Sequence, residues 1–166
     1  MECPPVDKRI EGERLRRLTE ALEAECGLTA ELLGALQAER ASIVAGRLED
    51  LYAGCRQRTE LLAGLQAAQE ATAGLLRALG ASPGDLTALI RRALPRERPR
   101  LRRVRAEINR LRRQVAALSE ENRRCIAEAL DFIDGAVAIL TGASPQAGHY
   151  GGHSPKSGPA VISSEV

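Results

Sequence analysis

The chain has 166 residues, about the length of one domain, and a net charge of +2. Charged residues make up 28% and hydrophobic residues 44%, which is too apolar for a chain disordered throughout. The apolar residues are mostly leucine and alanine, and the aromatics are only Tyr52, Phe132 and Tyr150. Strong helix formers therefore dominate over strand formers, which predicts an all-α protein with a thin leucine core and no deep ligand pocket.

Other classes are excluded by what the sequence lacks. There is no run of about 18 uncharged apolar residues, so no membrane insertion is expected. The first residues, Met1-Glu2-Cys3-Pro4-Pro5, lack the basic-then-apolar order of a signal peptide. The four cysteines lie far apart without a Cys-x-x-Cys pair, which argues against a disulfide scaffold. We therefore expect a cytoplasmic protein.

The first predicted helix follows a disordered leader over residues 1–10, where Pro4 and Pro5 disfavour a helix interior. Its buried stripe has members mostly three or four residues apart: Leu15, Leu18, Leu22, Cys26, Leu33, Leu36, Arg40 and Ile43. Gly46 either ends this helix as a left-handed cap or is absorbed into one bent helix.

The second predicted helix has a more regular stripe: Leu48, Leu51, Cys55, Arg58, Leu62, Leu65, Gln69, Thr72, Leu76 and Leu79. The segment from Gly80 to Asp85 breaks the pattern. Ser82 is suited to an N-cap, Pro83 to the first helical position, and Asp85 to the acid of a capping box. A short helix through Leu86, Leu89, Ile90 and Leu94 should follow.

The third long helix is predicted over about residues 100–140. Its seam is Leu101, Val104, Ile108, Leu111, Val115, Leu118, Asn122, Cys125, Ala129, Phe132, Ala136 and Ile139, a three-four alternation over more than five heptads. Asn122 either specifies helix register or binds a partner. Because so long a seam must be buried, we expect it to pack antiparallel against residues from 11–80, giving a long antiparallel helical hairpin or coiled-coil bundle over residues 11–142.

The last predicted segment, residues 143–166, is rich in glycine, proline and serine. This composition cannot bury enough surface to fold alone, so we predict a flexible tail or a segment that orders on a partner.

No group of residues indicates catalysis, a cofactor, a metal or a small-molecule substrate. His149 and His153 lie in a glycine-rich stretch without the three or four organised ligands that Zn²⁺ requires. The acidic pairs Glu120/Glu121 and Asp131/Asp134 are typical of a solvated helix face. We therefore expect a protein that is not an enzyme.

Charge is distributed unevenly. Residues 11–70 carry eleven acids and seven arginines, whereas residues 71–124 carry fourteen arginines and five acids. A basic run ahead of heptads is how basic-zipper proteins hold DNA. Here Pro95 and Pro99 interrupt the run, and the arginines share their helix with the apolar seam. Packing of an arginine face near the acidic first half is the alternative, and nucleic-acid binding is not favoured.

The order of these features resembles the FlgN-like flagellar export chaperones over about residues 15–152. Glu39–Leu51 resembles the family's "Glu-Arg-x-Ala-Leu-x-x-Gly" stretch, and Glu60-Leu61-Leu62 resembles its "Lys-x-x-Leu-Leu" element. Asn122 with Ile126 resembles the family's "Asn-x-x-Leu-Ile" helix, and Tyr150-Gly151-Gly152 resembles its tyrosine-glycine signature. Arg47 departs from the family's usual acid, and Arg58 or Thr59 stands near the expected lysine.

The resemblance implies a chaperone that binds hook-associated (hook–filament junction) proteins, prevents their premature assembly and delivers them to the type III flagellar export gate. An apolar helix of such a client would pack against the third helix, with a second contact in the tail. The residues expected to bind are Val115, Leu118, Asn122, Cys125, Ile126 and Tyr150. The alternatives are a structural coiled-coil scaffold and, less favoured, a basic-helix DNA-binding protein.

Overall fold

The chain folds into helices joined by short turns. A computed structural model describes residues 5–93 and 95–142, and this part of the chain contains no strand. The elements are α1 (Pro5–Ala45), α2 (Leu48–Ala78), a 3-10 helix (Pro83–Asp85), α3 (Leu86–Arg92) and α4 (Arg98–Thr141). The predicted all-α class is confirmed, as is one continuous third long helix. Residues 1–123 form one compact unit and residues 124–166 another.

The first helix begins earlier than the sequence suggested. Residues 1–4 lie outside the described part, but α1 starts at Pro5 and so takes up residues 5–10 of the predicted leader. Proline is tolerated at the first position of a helix, because the missing N–H has no intrahelical acceptor there.

The turn between α1 and α2 settles the alternative left open at Gly46. Gly46 has φ +65°, its N–H donates to the Ile43 carbonyl at 3.2 Å, and the Arg47 N–H donates to the Ser42 carbonyl at 3.0 Å. This pair of bonds is a Schellman motif, which requires a left-handed residue and hence favours glycine. The first helix therefore ends at the glycine, and α2 begins at Leu48.

The break after α2 has the predicted capping residues. Gly80 ends α2 with φ +68°. The Asp85 carboxylate accepts bonds from the Ser82 N–H at 3.0 Å and from the Ser82 hydroxyl at 2.8 Å. These two bonds lower the pKa of Asp85, because both donors favour the charged carboxylate. Pro83 opens the 3-10 helix as expected, while Leu94, predicted within the short helix, lies outside the described residues.

Helices α1 and α2 form an antiparallel hairpin. At its open end the Arg14 guanidinium donates to the Ala78 carbonyl at 3.0 Å, and near its turn Arg58 donates to Glu39 at 2.7 Å. Helix α4 contacts α1 at Glu23 through Arg100 and at Leu36 through Asn122, so α4 runs parallel to α1 and antiparallel to α2. The expected antiparallel packing thus holds for α2 but not for α1.

The core lies where the three long helices meet. One cluster joins α1, α2, α3 and the start of α4 and includes Leu18, Leu76, Leu89 and Leu101. A smaller cluster joins Leu32 and Leu36 of α1 to Val115 of α4. Leu18 and Leu101 have no exposed surface, and each therefore contributes about 1.5–3 kcal/mol of apolar burial.

The buried stripe of α1 differs from the predicted one at its polar positions. Its buried members include Glu25, Thr29 and Glu39. Four residues that were assigned to the stripe are only partly buried: Cys26, Leu33, Arg40 and Ile43. Polar residues are tolerated here because each has a partner. The Thr29 hydroxyl donates to the Glu25 carbonyl at 2.7 Å, and the two carboxylates pair with arginines of neighbouring helices.

The seam of α4 is buried over only part of its predicted length. Leu101, Val104, Ile108, Leu111, Val115 and Asn122 are buried, but Phe132 and Ile139 are 78% and 81% exposed. The expectation that the whole seam is covered was therefore wrong. Helix α1 ends at Ala45, only six residues after Glu39, the residue that Asn122 reaches. The seam positions packed against α1 thus run up to Asn122.

One ion pair fixes the first part of α4 against α1. Arg100 donates to Glu23 through Nε at 2.7 Å and through a terminal nitrogen at 2.5 Å, a bidentate arrangement. These hydrogen bonds and the positive charge of Arg100 lower the pKa of Glu23. The same hydrogen bonds and the negative charge of Glu23 raise the pKa of Arg100. The uneven charge distribution in the sequence thus serves, in part, to join the acidic α1 to the basic α4.

We expect the Glu23 pair to make stability depend on pH. Because the folded-state pKa of Glu23 is lowered, its contribution is complete above the unfolded carboxyl pKa of about 4.3 and is lost as pH falls through the folded value. Glu23→Gln should therefore cost up to about 1 kcal/mol at pH 7, as for a partly exposed pair, and progressively less below about pH 4. Urea unfolding followed by circular dichroism measures both.

Glu31→Gln is the matched control for this prediction, because Glu31 is exposed on the same helix and has no ion-pair partner among the described residues. It should leave the free energy of unfolding nearly unchanged at both pH values. A Glu23→Gln effect of the same size at pH 7 and pH 3 would contradict the role given to the carboxylate charge.

Candidate functional site

The residues predicted to bind a partner lie along α4, where its burial changes. Val115 and Asn122 are buried, with 8% and 2% of their surfaces exposed. Leu118, Cys125 and Ile126 are partly buried, and Leu118 packs against the cluster of Leu32, Leu36 and Val115. Tyr150 lies outside the described residues. The structure therefore covers the first half of the predicted surface with α1 and leaves its later residues nearer the solvent.

Asn122 is part of a polar layer that joins all three long helices. Its amide nitrogen donates to the Leu36 carbonyl at 2.9 Å and approaches the Glu39 carboxylate at 3.4 Å. The same carboxylate accepts two bonds from Arg58 of α2, at 2.7 and 2.8 Å, and lies 3.9 Å from the Cys55 sulfur. A buried polar group of this kind fixes the register of packed helices, because a shift along the axis would leave it unpaired.

A second buried carboxylate of α1 pairs with an arginine of α4. The Glu25 side chain is only 3% exposed and pairs with Arg112 of α4, whose side chain is 41% exposed. The apolar stem of Arg112 can cover the seam while its guanidinium reaches both the carboxylate and the solvent. Glu25 and Glu39 were not predicted as members of the buried stripe of α1. The signal for Glu39 was Arg58 on the α2 stripe and Asn122 in the α4 seam, two polar residues that need partners.

The later part of α4 exposes a continuous apolar face. Its large side chains are 50–86% exposed at Leu130, Phe132, Ile133, Val137, Ile139 and Leu140. Together with Ile126 they form what we call the apolar face of α4. Within it Ile126, Leu130, Ile133, Val137 and Leu140 alternate steps of four and three and so form one row about 21 Å long.

The opposite side of this segment is polar. Glu128, Asp131 and Asp134 are exposed, and none of them interrupts the apolar row. An amphipathic helix normally turns its apolar side to a protein core, and a contiguous exposed apolar surface marks a site of partner binding. The apolar face can therefore bind another apolar helix by side-chain packing. Such binding requires no catalytic group.

Other candidate groups contribute no chemistry. Among the described residues no cluster of three or more His, Cys, Asp or Glu could hold a metal ion, while His149 and His153 lie beyond them. Glu120 and Glu121 are exposed, and Glu120 pairs with Arg123 at 2.7 Å. Burial raises the pKa of the Cys26 thiol, which disfavours the reactive thiolate. No described helix has an apolar stretch long enough to cross a bilayer.

The arginine-rich run does not form a free basic helix. Pro95 lies in a turn before α4, and Pro99 occupies the first turn of that helix. Arg100 and Arg112 pair with acids of α1, and Arg110 pairs with Glu107 within α4 at 2.5 Å. Two arginines of the run thus join α4 to α1, whereas a basic zipper presents its arginines to DNA from an uncovered helix.

Comparison with known proteins adds an independent finding. The sequence model of a family described as FlgN protein matches residues 14–156, which is most of the chain. It includes the hairpin, α3, all of α4 and the tyrosine-glycine pair of the tail. Searches of curated proteins and of solved structures give no match.

Proposed function

Because this chain belongs to the FlgN family, the flagellar export chaperones, we propose that its clients are hook-associated (hook–filament junction) proteins and that it binds their terminal helices on the apolar face of α4. The single observation that supports this proposal is the exposure of six large apolar side chains between Leu130 and Leu140. The family is one of chaperones and not of enzymes, so binding alone is the activity to explain.

The proposed binding step is helix-on-helix packing. An amphipathic client helix would cover the apolar face of α4, and each side chain taken from water would contribute about 1.5–3 kcal/mol if fully buried. Ordering of a client segment and loss of its translational freedom offset much of this gain. Affinity near the micromolar range is therefore expected, tight enough to protect a client and weak enough to release it.

The proposal shifts the centre of the site along α4 from its predicted position. Ile126 belongs to the apolar face, and Leu118 and Cys125 stay at its inner edge because they are partly buried. Val115 and Asn122 are buried within the bundle, and a client would reach them only after α1 had moved away. Tyr150 in the tail is retained as a second contact, either to the client or to the export gate in the cytoplasm.

Replacing Ile133 by aspartate should weaken client binding by about 100-fold or abolish it, because the carboxylate would be buried without a partner. Ile133 is 54% exposed, so the helical circular dichroism spectrum should not change. The measurement is isothermal titration calorimetry of the full chain with a purified hook–filament junction protein. Ala127→Asp adds the same charge at an exposed position off the apolar row, and should bind normally.

Two outcomes decide between functions. If Ile133→Asp binds the client as well as the unchanged chain, the apolar face is not the site. If the unchanged chain binds no junction protein and instead forms a homo-oligomer that Ile133→Asp dissociates, the scaffold interpretation replaces the chaperone. A chain shortened after Thr141 tests the tail separately, because it should keep the bundle and lose only the second contact.

A further inference from the structure

A groove between α3 and the first half of α4 carries positive charge that the bundle does not use. It encloses about 290 Å³. Helix α3 contributes Thr87, Ile90 and Arg91, and α4 contributes Arg102, Arg105 and Asn109. The three α4 residues are spaced by three and four, so they lie on one side of that helix, facing α3. This surface is separate from the apolar face of α4.

The arginines of the groove differ from the others on α4. No aspartate or glutamate lines the groove. Arg91 and Arg102 are exposed and have no ion-pair partner among the described residues, in contrast to Arg100 and Arg112. Arg105 donates to the Thr87 hydroxyl at 2.6 Å, which holds its guanidinium across the groove. Three arginines thus line one small volume, and no carboxylate of the described residues lines it with them.

We propose that this groove binds an acidic segment of a protein partner. Guanidinium groups match carboxylates in charge and in planar, two-pronged geometry, and several of them near each other favour a ligand with more than one carboxylate. Ile90, which is 4% exposed, provides an apolar floor for the methylene groups of a glutamate side chain. Asn109 and Thr87 supply neutral polar contacts at the edge.

Nucleic acid fits the groove less well. No aromatic side chain lines it, so bases of a single strand would have nothing on which to stack. For a duplex, a recognition helix must enter the major groove with its basic side uncovered. Here α3 stands on that side of α4, at Arg102 and Arg105. A short acidic peptide meets neither obstacle.

The test uses a fluorescein-labelled hexaglutamate peptide and fluorescence anisotropy at low salt. Binding by the full chain is expected to weaken about tenfold or more in Arg91→Gln/Arg102→Gln, since each charge-assisted bond is worth at least that factor. Arg105 is left unchanged to preserve its bond to Thr87. The control, Arg56→Gln/Arg124→Gln, removes the same charge at exposed positions outside the groove and should bind normally.

Each contrary result overturns the proposal. Equal weakening in the two double variants would mean general attraction to a basic protein. If the peptide does not bind and a short DNA duplex does, the groove is a binding site for nucleic acid. If inorganic phosphate competes with the labelled peptide as effectively as unlabelled peptide does, the groove is a site for small anions. Ile133→Asp should leave peptide binding unchanged, so failure here and failure of the chaperone function remain distinguishable.

Discussion

Replacing Leu101 by alanine should lower the free energy of unfolding by about 2–5 kcal/mol. Leu101 has no exposed surface and lies in the cluster that joins α1, α2, α3 and the start of α4. The substitution removes apolar contact and leaves a cavity that side chains from four elements cannot all relax to fill. Urea denaturation followed by circular dichroism at 222 nm, a wavelength reporting helix content, gives the value.

Leu130→Ala on the same helix is the control. Leu130 is 55% exposed, so the same change of side chain should alter the free energy of unfolding by less than about 1 kcal/mol. Similar losses from the two substitutions would show that the apolar face is buried in solution, by self-association, for example. That outcome would support the scaffold interpretation over a free client site.

Replacing Arg58 by methionine should cost about 3–5 kcal/mol, because it leaves the charge of Glu39 buried without a counter-ion. The Glu39 side chain is 3% exposed, whereas that of Arg58 is 37% exposed. Glu39→Gln should therefore cost less, since the freed guanidinium can reach water and the new amide can still bond Asn122. This difference, measured by urea denaturation of the two variants, is the specific expectation.

Arg47→Met provides the comparison for a surface pair. Arg47 bonds Asp50 at 2.7 Å, but both side chains are more than half exposed, so the loss should be under about 1 kcal/mol. If Arg58→Met costs no more than Arg47→Met, Glu39 is not held as a buried ion and the polar layer has little effect on stability.

The sequence was most informative where local chemistry decides structure. The left-handed ends at Gly46 and Gly80 follow from glycine placed after a periodic stripe, and the Ser82–Asp85 bonds follow from capping-box spacing. The long α4 follows from its uninterrupted heptads. Each of these depends on residues within one or two helical turns, so no knowledge of tertiary contacts was needed.

The missed features depend on residues far apart in sequence. Glu25 and Glu39 read as surface positions of α1 until Arg112 and Arg58 are placed beside them, 87 and 19 residues away. The three-four spacing gave preference to Cys26 and Arg40, each one position after a buried glutamate. The end of the covered seam could not be predicted either, because it depends on how far α1 extends beyond its contact with Asn122.

The direction of α4 has a consequence for the order in which the bundle assembles. The hairpin first forms contacts between residues of α1 and α2 that are close in sequence near Gly46, beginning with Glu39 and Arg58. The 3-10 helix and α3 then bring the start of α4 to the opposite end, where Leu101 meets the leucines of α1 and α2. We therefore expect docking to propagate along α4 towards Asn122, since each contact shortens the chain left to close.

The contacts of Asn122 with the polar layer are consequently the last part of the α4 interface that we expect to form, and we expect local opening to begin there at less cost than global unfolding. Such opening would uncover Leu118 and Val115 beside Asn122 and lengthen the apolar surface available at that end of the unit. We therefore expect the bonds from Asn122 to Leu36 and Glu39 to set how often the chain presents a longer surface. Sequence changes in this layer can tune that frequency without altering the surface itself.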